Sequence, residues 1–177
     1  MTVVDAHHHV WDLAVRDQPW LDGGAMAPIR RTFAVDDLRP DACAAGVVAT
    51  VLVQTVTVPE ETPEMLALAG GDPLVAAVVG WTDLTSPAIA SELARLMAGP
   101  GGGHLAGIRH QVQSEPDPDW LGRPDVIRGL RAVAAAGLCY DLVVLPHQIP
   151  AASYAAAAVP GLTLVRCRTR RASCPAW

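Results

Sequence analysis

The sequence predicts an α/β protein built as an incomplete (β/α)8 TIM barrel, and three observations carry that prediction. Short, continuously apolar, β-branched runs alternate with longer helical segments, which argues for parallel strands buried on both faces. A doubly wound nucleotide binder would show a Gly-rich turn after its first strand; Asp5-Ala6-His7-His8-His9 stands there instead. Five strand–helix units and a sixth strand fit within 177 residues, against eight units over ~250 residues in a full barrel.

The strands are read as Thr2–Asp5, Ala49–Gln54, Leu74–Trp81, Leu105–His110, Leu138–Val144 and Leu162–Val165. The intervening helices are read as Val35–Ala45, Glu60–Leu68, Pro87–Met97, Pro124–Ala136 and Gln148–Ala158. Pro87 and Pro124 suit the first helical position, where a missing N–H costs nothing. Gly46 and Gly137 suit the left-handed position that ends a helix. The glycine-rich stretch 99–103 precedes a strand rather than a helix, so it reads as a flexible loop and not a phosphate cradle.

Composition narrows the partners. The net charge is −5, all 13 basic residues are arginine, and lysine and asparagine are absent. With 51% hydrophobic residues and a mean hydropathy of +0.27, the chain is suited to a packed core. Without a basic stripe it is a poor match for nucleic acid or an anionic membrane, which leaves a small-molecule partner. No apolar run approaches the ~18 residues of a membrane span, and no positive leader opens the chain, so a cytoplasmic location is expected. Cys43, Cys139, Cys167 and Cys174 are scattered and show no disulfide or zinc framework; Cys43 and Cys139, in apolar stretches, read as inert thiols.

Residues 1–165 hold 9 arginines against 18 acids and read as the partial barrel domain. Residues 166–177 reverse that balance, with four arginines, two cysteines and no acid, and read as a tail translated out of frame. A sheet ending at its sixth strand leaves unpaired edges, which would let two copies associate as a homo-oligomer.

The chemistry lies at the end of the first strand. Side chains alternate faces along a strand, so His7 and His9 point one way and His8 the other. Two imidazoles about 6–7 Å apart along one face can share a divalent ion. Arg109 ends the fourth strand and reads as a fork for a substrate carboxylate. Gln54 could orient a substrate hydroxyl or cap a loop, and Asp141 reads either as a substrate group or as half of a structural ion pair. His110, on the opposite face from Arg109, reads as a packing or loop-anchoring residue. Trp11, Trp20, Trp81 and Trp120 could stack on a ring or pack beneath loops.

In context these residues form a specific pattern. Val4-Asp5-Ala6-His7-His8-His9-Val10-Trp11-Asp12, followed by Pro19-Trp20-Leu21, resembles the opening of the amidohydrolase-2 family. The likeness continues through Val51-Leu52-Val53-Gln54, Val79-Gly80-Trp81, Gly107-Ile108-Arg109-His110-Gln111, Glu115–Leu121 and Tyr140-Asp141-Leu142. It lies closest to the branch of sugar-lactone and dicarboxylate lactonases. The resemblance implies an amidohydrolase-type barrel that opens a lactone by water attack, with His7 and His9 as ligands of one divalent ion, zinc or manganese, or as direct partners of the carbonyl in a metal-independent site. The likeness breaks at the sixth strand. There the family continues with a histidine, and later supplies the strand-8 aspartate that activates water; neither follows Leu162-Thr163-Leu164-Val165 here. The catalytic base is therefore unassigned. A damaged, inactive fragment and a decarboxylase of the wider family stand as the alternatives.

Overall fold

The computed structural model describes residues 2–166. Six strands form one all-parallel sheet: β1 (Val3–His8), β2 (Val47–Val53), β3 (Val75–Gly80), β4 (Leu105–Arg109), β5 (Cys139–Leu142) and β6 (Leu164–Arg166). Their order in space is their order in sequence, β1-β2-β3-β4-β5-β6, with every neighbour parallel. A doubly wound sheet reverses direction at a switch point. This sheet never does, so it is the curled wall of a partial TIM barrel. Helices α1 (Val35–Ala44), α2 (Glu61–Gly71), α3 (Ile89–Ala98), α4 (Pro124–Ala135) and α5 (Ile149–Ala158) each join one strand to the next.

The core lies between the sheet and these helices. Leu52 pairs with Val78 and Ile108 with Tyr140, all fully buried. They pack in one cluster with Leu66 of α2, Leu93 of α3 and Leu130 of α4. The two edge strands are barer: Val3 and Val4 of β1 are 42% and 53% exposed, and Val165 of β6 is 42% exposed.

Gly46 (φ +69°) and Gly137 (φ +74°) end the first and fourth helical segments in the left-handed conformation expected of them. Pro124 opens α4 as expected, whereas α3 begins at Ile89, two residues after Pro87. There the Ser86 hydroxyl accepts the Ala88 N–H and the chain turns before the helix starts. The glycine run at 99–103 is not a loose loop. A Cβ on Gly101 would lie 1.8 Å from the Leu66 carbonyl oxygen, and one on Gly102 would lie 2.2 Å from that of Met97. Glycine is needed there for close approach to α2 and α3. Of the proposed tail, Arg166 closes β6; residues 167–177 lie outside the described residues.

Candidate active site

β1 runs to His8, three residues past its expected end, because His8 itself pairs with Leu52 of β2. Between Asp5 and His8 it advances three residues while β2 advances two, from Thr50 to Leu52. This bulge re-aims side chains at the rim, and the Asp5 carboxylate fastens it by accepting the His7 backbone N–H at 3.1 Å.

His7 and His9 meet on the inner face. Their Nε2 atoms lie 3.1 Å apart, with rings edge-on at 84°. His9 Nδ1 donates to the Val53 carbonyl at 2.7 Å, which leaves a lone pair on its Nε2. Burial, then the nearby Arg109 charge, holds His7 down to about 4 and His9 down to about 3, so both are neutral at pH 7. Two neutral imidazoles with converging nitrogens, one oriented by a backbone carbonyl, can supply two of the three or four protein ligands that zinc takes. Their spacing is near the ~3.3 Å separation of two ligands at ~2.0–2.1 Å in tetrahedral geometry. Among the described residues no third His, Cys, Asp or Glu joins them. His8 faces the other way beside Leu52, and neither of its buried ring nitrogens has a hydrogen-bond partner among the described residues.

Arg109 reaches in from β4 and is 8% exposed. Its Nε donates to Gln54 Oε1 at 2.8 Å, its Nη2 donates to the same oxygen at 2.5 Å and also to the Gln54 backbone carbonyl, and its Nη1 lies 3.4 Å from His7 Nε2. Gln54 is fully buried, and its amide nitrogen donates to the Val56 carbonyl at 3.0 Å. Its side chain is thus committed to Arg109 and its own loop. Asp141 sits across from Arg109 in the β4–β5 register, half-buried, with the Cys139 thiol 3.9 Å from its carboxylate. Burial raises the Asp141 carboxyl, and the Arg109 charge opposes that rise.

One residue on, the opposite face of β4 carries a different arrangement. His110 Nδ1 accepts the Trp81 indole N–H at 2.9 Å, Nε2 meets the Glu115 carboxylate at 2.7 Å, and the ring stacks on Trp120 at 4.2 Å. It anchors the loop after β4. Trp11 packs edge-on against Trp20 at 5.1 Å and against Phe33 at 4.9 Å, with its N–H given to the Arg31 carbonyl. That cluster folds the long excursion between β1 and α1.

Two positioning residues are invisible to the strand pattern. Glu61 opens α2 and is 5% exposed; its carboxylate accepts the backbone N–H groups of Thr55 and Val56 and the Thr55 hydroxyl. It pins the loop that carries Gln54. Thr62, fully buried, both accepts the Trp81 backbone N–H and donates to the Trp81 carbonyl, each at 2.7 Å. An acid and a threonine opening a helix read as ordinary first-turn residues; only burial under the rim sets them apart.

A parallel, consecutively ordered sheet with a His-x-His pair and an arginine at its rim defines the wall of a partial TIM barrel with a candidate site at its mouth. The comparisons sharpen that class. The family model described as amidohydrolase (amidohydrolase-2) matches residues 4–166, and the chain belongs to that family. It is 36% identical over 162 residues to an L-fucono-1,5-lactonase of Burkholderia ambifaria, covering 92% of this chain and 54% of that protein. It is 34% identical over 148 residues to an L-fucono-1,5-lactonase of Burkholderia multivorans, covering 83% of this chain and 48% of that one. The crystal structure of an amidohydrolase from Burkholderia multivorans with bound Zn superposes with a TM-score of 0.84 at 32% identity, covering 94% of this chain and 57% of that chain. This chain therefore spans about half the length of the curated relatives it matches. No helix among the described residues is long and apolar enough to cross a membrane.

Proposed function

We propose that this site serves the hydrolysis of a lactone of a small sugar acid, with L-fucono-1,5-lactone as the first candidate because two relatives carry that name. The observation that carries the reading is the convergence of His7, His9 and Arg109 at one point of the inner rim. Lactone opening needs electrophilic groups where charge develops on the carbonyl oxygen. The neutral His7–His9 pair would hold one divalent ion, zinc or manganese, which polarises that carbonyl when bound. Arg109 Nη1, on the same side, binds the carbonyl or the carboxylate that ring opening releases. Gln54 acts through Arg109 by fixing its plane. Asp141, half-buried on the same wall, accepts a substrate hydroxyl. The group that takes the proton from water belongs, by resemblance, to a strand beyond the six described.

Two measurements on the purified chain test this. The product acid, L-fuconate, is expected to bind saturably, with binding lost in Arg109→Met. Any hydrolysis of L-fucono-1,5-lactone above the buffer rate is expected to be lost in His9→Ala. Absence of saturable binding overturns the substrate class. Turnover that survives His9→Ala overturns the placing of the histidine pair at the reacting carbonyl.

A further inference from the structure

The bonds that hold Arg109 have a consequence for the cation site. A divalent ion would need the Nε2 lone pairs of both His7 and His9. Arg109 Nη1 lies 3.4 Å from the His7 Nε2, so one of those lone pairs already faces a fixed guanidinium. That guanidinium does not drift away easily. Nε and Nη2 are both bound to Gln54 Oε1, Nη2 also to the Gln54 carbonyl, and Gln54 is itself tied to Val56 in a loop pinned by the buried Glu61. A cation entering here meets a positive charge in a poorly solvated place, where like charges repel far more strongly than in water.

We propose that Arg109, locked by Gln54, caps the His7–His9 pair and competes with a divalent cation for it, so that the chain holds zinc more weakly than the two imidazoles would by themselves. The inference rests on the reading of His7 and His9 as a cation-binding pair and is independent of lactone turnover. In this arrangement the arginine and the metal are alternative occupants of one position, and occupancy by the metal requires the guanidinium to swing off His7.

Zinc affinity of the purified chain, measured by competition with a chromophoric chelator, tests it. Arg109→Met keeps the bulk of the side chain and removes the charge and the donors. The expected result is at least tenfold tighter zinc binding in Arg109→Met, abolished when His9→Ala is added. Unchanged or weaker binding in a variant shown to be folded by circular dichroism overturns the proposal. Tighter binding that survives His9→Ala also overturns it, because the metal then sits elsewhere. If zinc binding is lost on His9→Ala yet indifferent to Arg109→Met, the histidine pair stands and only the competition fails. Should Arg109→Met not fold, the wild-type chain decides by NMR during zinc titration. Movement of the Arg109 guanidinium N–H resonances together with the His9 ring supports displacement, and a still guanidinium beside a shifting His9 ring overturns it.

Discussion

Arg109 and His110 are consecutive, yet the clusters they join follow opposite rules. On the outer side every polar atom of the His110 ring has its own protein partner: an indole N–H at one nitrogen, a carboxylate at the other and an aromatic plane against the face. On the inner side His9 Nδ1 is bound to a backbone carbonyl, but the Nε2 atoms of His7 and His9 point at each other and at a guanidinium. A histidine whose hydrogen bonds the fold completes is part of the scaffold. Histidines whose lone pairs converge leave a bond for something else to make. Strand alternation alone separates these two fates by a single step in sequence.

The largest way to test that contrast is acidification, because it acts on both clusters together. The imidazoles of His7, His9 and His110 are all lowered, chiefly by burial. The unfolded chain therefore takes up protons near pH 6.5 before the folded one does, and stability present above that pH is lost as pH falls toward about 4. The urea midpoint is expected to drop between pH 7 and 5, and His9→Ala should flatten that profile more than His110→Ala. A flat wild-type profile would break the contrast.

Single substitutions sharpen it further. His110→Ala leaves the Trp81 N–H and the Glu115 carboxylate without their partner and is expected to cost about 2–4 kcal/mol in urea unfolding. It should leave zinc affinity unchanged. Glu61→Gln replaces a carboxylate that accepts two backbone N–H groups and a hydroxyl; a loss of about 2 kcal/mol is expected, with weaker binding of L-fuconate through a loosened Gln54. Trp81→Phe deletes one hydrogen bond to His110 and should cost about 1 kcal/mol. His9→Ala is expected to change stability at pH 7.5 by less than about 1 kcal/mol while removing zinc binding. A large stability loss there would make the inner pair structural after all.

Most of the fold was legible in the sequence because it follows from local pattern. Leu52, Val78 and Ile108 lie in runs apolar enough to mark strands buried on both faces, and Gly46 and Gly137 mark helix ends that only a left-handed residue closes. Boundaries drifted where tertiary pairing extended a strand, as with the histidines of β1, or where a turn intervened, as after Pro87. The site was legible as a set of residues but not as a set of bonds. His7, His9 and Arg109 could be gathered from strand ends, whereas the commitment of Gln54 to Arg109 joins residues 55 apart and depends on a loop fixed from α2. No local pattern encodes that. Nor does any local pattern show that the glycines at 101 and 102 are packing surfaces.

Glu61 and Thr62 are neighbours, but they grip different strands: one holds the loop leaving β2 and the other the chain leaving β3. The first turn of α2 is thus a rivet through two adjacent staves of the barrel wall. Gln54 and Trp81, and through them the inner and outer clusters, cannot move independently while that rivet holds. Breathing of the rim on either side must then carry α2 with it as a body, so amide protection in the first turn of α2 should report on the mobility of both clusters at once.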